Sequence, residues 1–94
     1  MFIVSLNYMA PIEDVEMHVP AHMAWLEKHY EAGLFLASGR KVPRTGGIIL
    51  AKGDRAALEA CLREDPFAVH GIARYEITEC AVSKAVPGLE ALKQ

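Results

Sequence analysis

Four histidines, His18, His22, His29 and His70, are the residues of this chain best suited to moving a proton near neutral pH. Histidine has an ordinary pKa of ~6.5, which lies in that range. His18, His22 and His29 fall within about 40° of one another on a helical wheel if one helix carries all three. His18 and His22 are spaced i, i+4, a separation that places two imidazoles on one metal. The pattern stops there. No acidic third ligand of the HExxH kind accompanies them, and Pro20 interrupts the helical register between them. No metal site is expected.

His22 stands apart because it lies at the edge of an apolar stripe, which turns it toward a sheet or the cleft beside one. A histidine there is either a satisfied structural residue or a general base. A base needs a group on its other ring nitrogen to orient it. Asp65 is a candidate for that group. Its local reading is a helix cap, since an Asp before Pro66 accepts the amides of the turn that follows. A capping carboxylate still has a second oxygen for another contact.

The segment Ser38-Gly39-Arg40-Lys41-Val42-Pro43-Arg44-Thr45-Gly46-Gly47 gathers small and basic residues, with three positive charges within five positions. It reads as a solvated hairpin loop or as an anion-binding lip. Arginine matches a carboxylate or phosphate with a two-pronged fork. Ser38, Gly39, Arg40 and Arg44 are therefore the candidate substrate-binding residues. The GxxxxGK[ST] phosphate loop is absent.

The elements that must position these groups follow from the hydrophobic period. Phe2 to Tyr8 alternates and predicts a strand. Val19 to Ala32 predicts a helix, with Pro20 in its first turn, Val19, Met23, Leu26 and Tyr30 as its apolar stripe, and Gly33 just past its end. Glu13 to His18 is a possible extra turn ahead of it. Leu34 to Lys41 and Gly46 to Lys52 predict two strands joined by a Gly-rich turn. Asp54 is the expected cap of a second helix with Leu58, Cys61 and Leu62 at core spacing. Asp65-Pro66 begins a short turn that Gly71 stops, and Ile72 to Val82 predicts the fourth strand.

This β-α-β-β-α-β order is that of a ferredoxin-like α+β fold with an antiparallel sheet. The 94 residues fit one domain, with an ordered core of about residues 1–84 and a tail over 85–94. Helices on one face leave the other face to water, yet the middle strands are apolar on both sides at Leu34–Ala37 and Ile48–Ala51. A second copy of the sheet is the simplest cover. A homodimer through the sheet face, in effect a dimeric α/β barrel, is expected.

Composition narrows the function classes. Apolar residues make up 52% and charged residues 23%, with a net charge of −2. That balance argues against nucleic-acid and anionic-membrane partners, which call for a basic surface. No apolar run reaches the ~20 residues of a membrane span, and the opening segment has no basic leader. Cys61 and Cys80 lack CxxC spacing and read as reduced, buried thiols of a cytoplasmic protein. Nothing in the sequence supports haem or flavin, and no cofactor is expected.

At this point the chain resembles the YciI-like (YCII-related) family. The resemblance runs from Met1-Phe2-Ile3-Val4 to about Lys84. It is carried by Pro20-Ala21-His22, Ala37-Ser38-Gly39-Arg40-Lys41, Pro43-Arg44-Thr45-Gly46-Gly47, Glu64-Asp65-Pro66-Phe67, His70-Gly71-Ile72-Ala73 and Tyr75-Glu76-Ile77. It implies a dimeric α/β barrel and an active-site pair at His22 and Asp65. Many members carry Gly-Pro where this chain has Gly39-Arg40, so a basic residue stands there instead. Proteins of this barrel include a dehydrochlorinase and muconolactone isomerase, which move protons on small oxygenated rings, and also antibiotic-biosynthesis monooxygenases. The expected activity is a cofactor-independent lyase or isomerase on a small anionic metabolite. The alternative is a non-catalytic module that binds a small molecule or serves dimerisation.

Overall fold

The alternation of Phe2, Val4 and Leu6 with Ile3, Ser5 and Asn7 produces strand β1 (Phe2–Tyr8) in a computed structural model that describes residues 1–93. Pro11 then starts a helical stretch in two pieces, α1 (Ile12–Met17) and α2 (Val19–Glu31). The extra turn is therefore a short helix of its own. His18 joins the two pieces, donating its N–H to the Val15 carbonyl and accepting from His22 N–H. Pro20 lies in the first turn of α2, where its missing donor is not needed. Gly33, at φ 79°, ends the helix in the left-handed conformation.

Next come β2 (Phe35–Arg40), β3 (Gly46–Ala51), α3 (Arg55–Arg63), α4 (Pro66–Val69) and β4 (Ala73–Glu79). Asp54 caps α3 as expected, its Oδ2 accepting the Ala57 N–H at 3.1 Å. The fourth strand stops at Glu79, short of Val82. Past Glu79, Cys80 N–H donates to the Met1 carbonyl and the Met1 amino group donates to the Cys80 carbonyl. One 3-10 turn, Glu90–Leu92, lies in the tail.

The sheet has the order β2-β3-β1-β4, and every neighbouring pair is antiparallel. Phe2, Val4 and Leu6 of β1 and Ile49 and Ala51 of β3 face the helices and are buried with Trp25, Leu26, Leu58, Leu62 and Phe67. The Trp25 indole donates to the Cys61 carbonyl at 3.1 Å and ties α2 to α3. The buried face of α2 is turned from the expected stripe: Trp25 and Leu26 are buried, while Met23 is 49% exposed. The large indole takes the core position, and Met23 moves to the edge.

Among the described residues no helix covers the opposite face, where Ile3, Ile48 and Leu50 are half-buried and Arg74, Glu76 and Thr78 are exposed. Of the two cysteines, only Cys61 is buried. Burial, helped by the nearby Glu64 and Asp65 charges, pushes its thiol up to about 12. Cys80 is half-buried, because it follows the last paired residue of β4. Among the described residues no helix is long and apolar enough to cross a membrane.

Two local features set the geometry of the β2–β3 hairpin. Phe35 pairs with Ala51, but Ala37, and not Leu36, comes next and pairs with Leu50. This bulge inserts one residue and reverses which side chains face the helices. Ser38 now opposes Ile49 and Arg40 opposes Gly47. At Gly46, β3 passes so close to β1 that an added Cβ would lie 1.8 Å from the Leu6 carbonyl oxygen.

Gly46→Ala should therefore force the strands apart and cost about 1–3 kcal/mol, a fall in Tm of roughly 10 °C for a domain of this size. Calorimetry checks it, and an unchanged Tm would contradict the close approach. His29 gives a pH-dependent counterpart. Burial, then the Lys28 charge, lower its pKa against the opposing pull of Glu64, and its Nε2 is buried with no partner among the described residues. The unfolded chain then binds this proton more readily than the folded one, so stability falls as pH drops through ~6.5. Urea unfolding across that range should show a shallower fall in His29→Phe than in wild type.

Candidate active site

After α3 ends, the chain turns through Asp65 into Pro66, and the cap predicted there is present. Asp65 Oδ1 accepts the Phe67 N–H at 3.0 Å, and its carbonyl accepts the amides of Ala68 and Val69. Asp65 is also fully buried, at 0% exposure. A buried carboxyl group is costly unless donors surround it, and here they come from three elements. Besides the α4 amide, His22 Nδ1 of α2 lies 2.8 Å from Oδ1, and Tyr75 Oη of β4 lies 2.5 Å from Oδ2. Burial, with the Asp65 contact second, drives the Tyr75 phenol far above its ordinary pKa, so it remains an O–H donor. With a phenol and an amide both donating, the carboxylate has only acceptor capacity left. His22 Nδ1 is thus assigned as the protonated nitrogen.

That assignment leaves His22 Nε2 as the free ring nitrogen. The side chain is 13% exposed. Its ring stacks on Phe67 with centroids 4.0 Å apart and planes 6° from parallel. Phe67 thus holds both members of the pair, its amide on Asp65 and its ring on His22. The four-residue helix and its capping Asp65 together set the imidazole, Phe67 by contact on its face and Asp65 by hydrogen bond on its edge.

His22 borders a cavity of about 270 Å³ between α2 and the β3–β1 part of the sheet. Leu6, Val19, Leu26, Ile49 and Phe67 form its apolar wall. Ser38, Gly39, Arg40 and Arg44 border it too, so the structure brings five of the six sequence-derived candidates to one space. Asp65 does not line it and sits behind His22. Ser38 reaches the cavity because of the bulge, and its hydroxyl is 2.6 Å from Tyr30 Oη. Gly39 has open space around its missing Cβ, so no close approach demands glycine there. Arg40 is exposed and has no ion-pair partner among the described residues. Arg44 Nη1 donates to Glu16 of α1 at 3.2 Å.

The other histidines go elsewhere. His18 stacks on His70, with centroids 4.2 Å apart, and does not join His22. Among the described residues no group of three or more His, Cys, Asp or Glu side chains is placed to hold a metal. Sequence reasoning did not select Tyr75, Phe67, Tyr30 or Glu16 for the site. Tyr75 had a usable signal, because strand alternation puts it on the face shared by Ala73 and Ile77, where a buried hydroxyl needs a partner. The Tyr30–Ser38 contact had none, since it depends on the bulge.

No curated protein matches the chain. Among solved structures it is similar to 5-chloro-2-hydroxyhydroquinone dehydrochlorinase from Burkholderia phenoliruptrix AC1100, determined in complex with 2,5-dihydroxybenzoquinone. The TM-score is 0.70 over 85% of this chain and 93% of that one, at 15% identity. At that identity the likeness establishes a shared small α+β fold and nothing about chemistry. The family model of the YCII-related domain matches residues 1–81, and the chain therefore belongs to the YCII-related domain family.

Proposed function

We propose that this chain is a cofactor-independent lyase or isomerase that moves a proton on a small anionic metabolite. The observation that carries the reading is the His22–Asp65 contact, which protonates Nδ1 and leaves Nε2 free on an imidazole bordering the cavity. His22 Nε2 takes a proton from carbon beside a carbonyl. The released electron pair forms the new double bond. In a lyase a leaving group departs from the adjacent carbon, and in an isomerase the proton returns at another position. Asp65 holds the tautomer and stabilises the imidazolium, and Tyr75 and the Phe67 amide hold Asp65. Ser38 donates to a substrate oxygen, and Arg40 and Arg44 supply positive charge for a carboxylate or enolate. The fold shared with a dehydrochlorinase that holds a small oxygenated ring is in keeping with this reading, whose support is the His22 site itself.

The strand order, with helices between β1 and β2 and between β3 and β4, supports a ferredoxin-like architecture. The uncovered sheet face supports a homodimer closed through Ile3, Ile48 and Leu50 of each copy, as a dimeric α/β barrel. Free thiols at Cys61 and Cys80 are in keeping with a reducing, cytoplasmic setting.

Replacing His22 by Ala should lower turnover of an identified substrate by ~10²–10⁴-fold. In parallel, nitrogen-resolved NMR of the histidine rings should find His22 as the Nδ1–H tautomer in wild type and lose that preference in Asp65→Ala. Undiminished turnover in the His22 variant would end the acid–base reading. A ligand bound but never converted, and lost in Arg40→Ala, would favour the binding module instead. For the dimer, light scattering at micromolar concentration should give twice the chain mass, and Leu50→Glu should give the monomer. A monomeric wild type refutes it.

A further inference from the structure

Arg44 belongs to the β2–β3 loop, yet it is anchored by a residue of α1, outside that hairpin. Its Nη1 donates to Glu16 on α1, and the Arg44 side chain keeps only 26% of its exposure while Glu16 keeps 61%. Arg44 Nε is buried and has no acceptor among the described residues. A guanidinium has two useful edges, and the one made of Nε–H and Nη2 presents two parallel donors to a carboxylate. Glu16 occupies Nη1, so this edge is the free one. A buried donor left without a partner is uncommon and costly, and Arg44 borders the cavity that His22 also borders.

We propose that Arg44 selects anions at this cavity through its free Nε/Nη2 edge, with Glu16 acting as the positioning residue that holds the guanidinium across the space between α1 and the hairpin. The assignment rests on reading this cavity as the substrate site. It names the ligand class more closely. A benzene ring fits a cavity of about 150 Å³, so the volume of about 270 Å³ suits one substituted ring or a chain of similar bulk. The apolar wall of Leu6, Val19, Leu26 and Phe67 takes the body of such a molecule. Its carboxylate, or the paired oxygens of an enolate, meets Arg44. The reacting carbon lies at the other end, toward His22. Arg40, which is exposed and unpaired among the described residues, contributes attraction at longer range that salt screens.

The test reads binding and not turnover. Salicylate, a single-ring carboxylate, and its neutral amide salicylamide are titrated into the full chain and followed by NMR shifts of the backbone amides. Wild type should bind salicylate about tenfold or more tightly than salicylamide. Arg44→Gln should remove that difference, a loss of about tenfold for salicylate. Arg44→Lys retains charge without the fork and should recover only part of it. Glu16→Ala should weaken salicylate about threefold, and Glu16→Gln, which retains the accepting oxygen, should restore it. Wild-type affinity in Arg44→Gln, equal affinity for the two compounds, or binding of neither overturns the assignment. If Arg44 holds salicylate in this way while His22→Ala leaves turnover of an identified substrate undiminished, the acid–base reading falls and this one stands.

Discussion

A carboxylate with no exposed surface is the constraint on which the rest of this structure depends. Asp65 has to find donors for both oxygens inside the protein, because a buried, unpaired charge is among the costliest features a small domain can carry. The three donors come from α4, α2 and β4. Each is brought by a different piece of the chain, so satisfying Asp65 joins the helix layer to the edge of the sheet. His22 is one of those donors. Its orientation follows from a folding requirement before it serves any chemistry, and the cap and pair readings of Asp65 are two uses of one side chain.

The opposite wall of the cavity is set by backbone geometry. Gly46 lets β3 run against β1 with no room for a side chain. The bulge at Leu36 turns Ser38 and Arg40 toward the helices. Without that inserted residue, Ala37 and Gly39 would face the cavity, and the polar side chains would lie on the uncovered face of the sheet. Together these features place a hydroxyl and two guanidinium groups opposite a histidine with a free nitrogen, around an otherwise apolar space. Such a mixture of apolar wall and few polar groups is the usual make-up of a small-molecule site.

Membership in the YCII-related domain family and the likeness to a dehydrochlorinase concern different levels of description. The family match rests on sequence along most of the chain, whereas the structural likeness at 15% identity concerns the path of the backbone. One sheet of this shape hosts unrelated chemistries. The argument for proton transfer therefore has to rest on the imidazole, its buried partner and the cavity they border. Arg40, which follows Gly39, and Arg44, held by Glu16, border that cavity.

Much of the fold was legible in the sequence because it follows from local rules. Alternation gave the span of β1 at once, Asp54 and Asp65 announced their helices as caps, and Gly33 marked the end of α2. The candidates His22, Asp65, Ser38, Arg40 and Arg44 were visible as residue types, each with a bland alternative that the residues alone left open: a structural histidine, a helix cap or a solvated loop. The face of α2 that Trp25 claims, the length of β4 and the parity of β2 were not visible. Each depends on a partner distant in sequence: packing against Cys61, the pairing of β4 with β1, and the register against β3. By itself, then, the sequence determined the elements and the chemical groups they carry. Only the tertiary structure decided that Tyr75 and Phe67 complete the surroundings of Asp65 and that Glu16 reaches Arg44, because those contacts form when separate elements share one buried space.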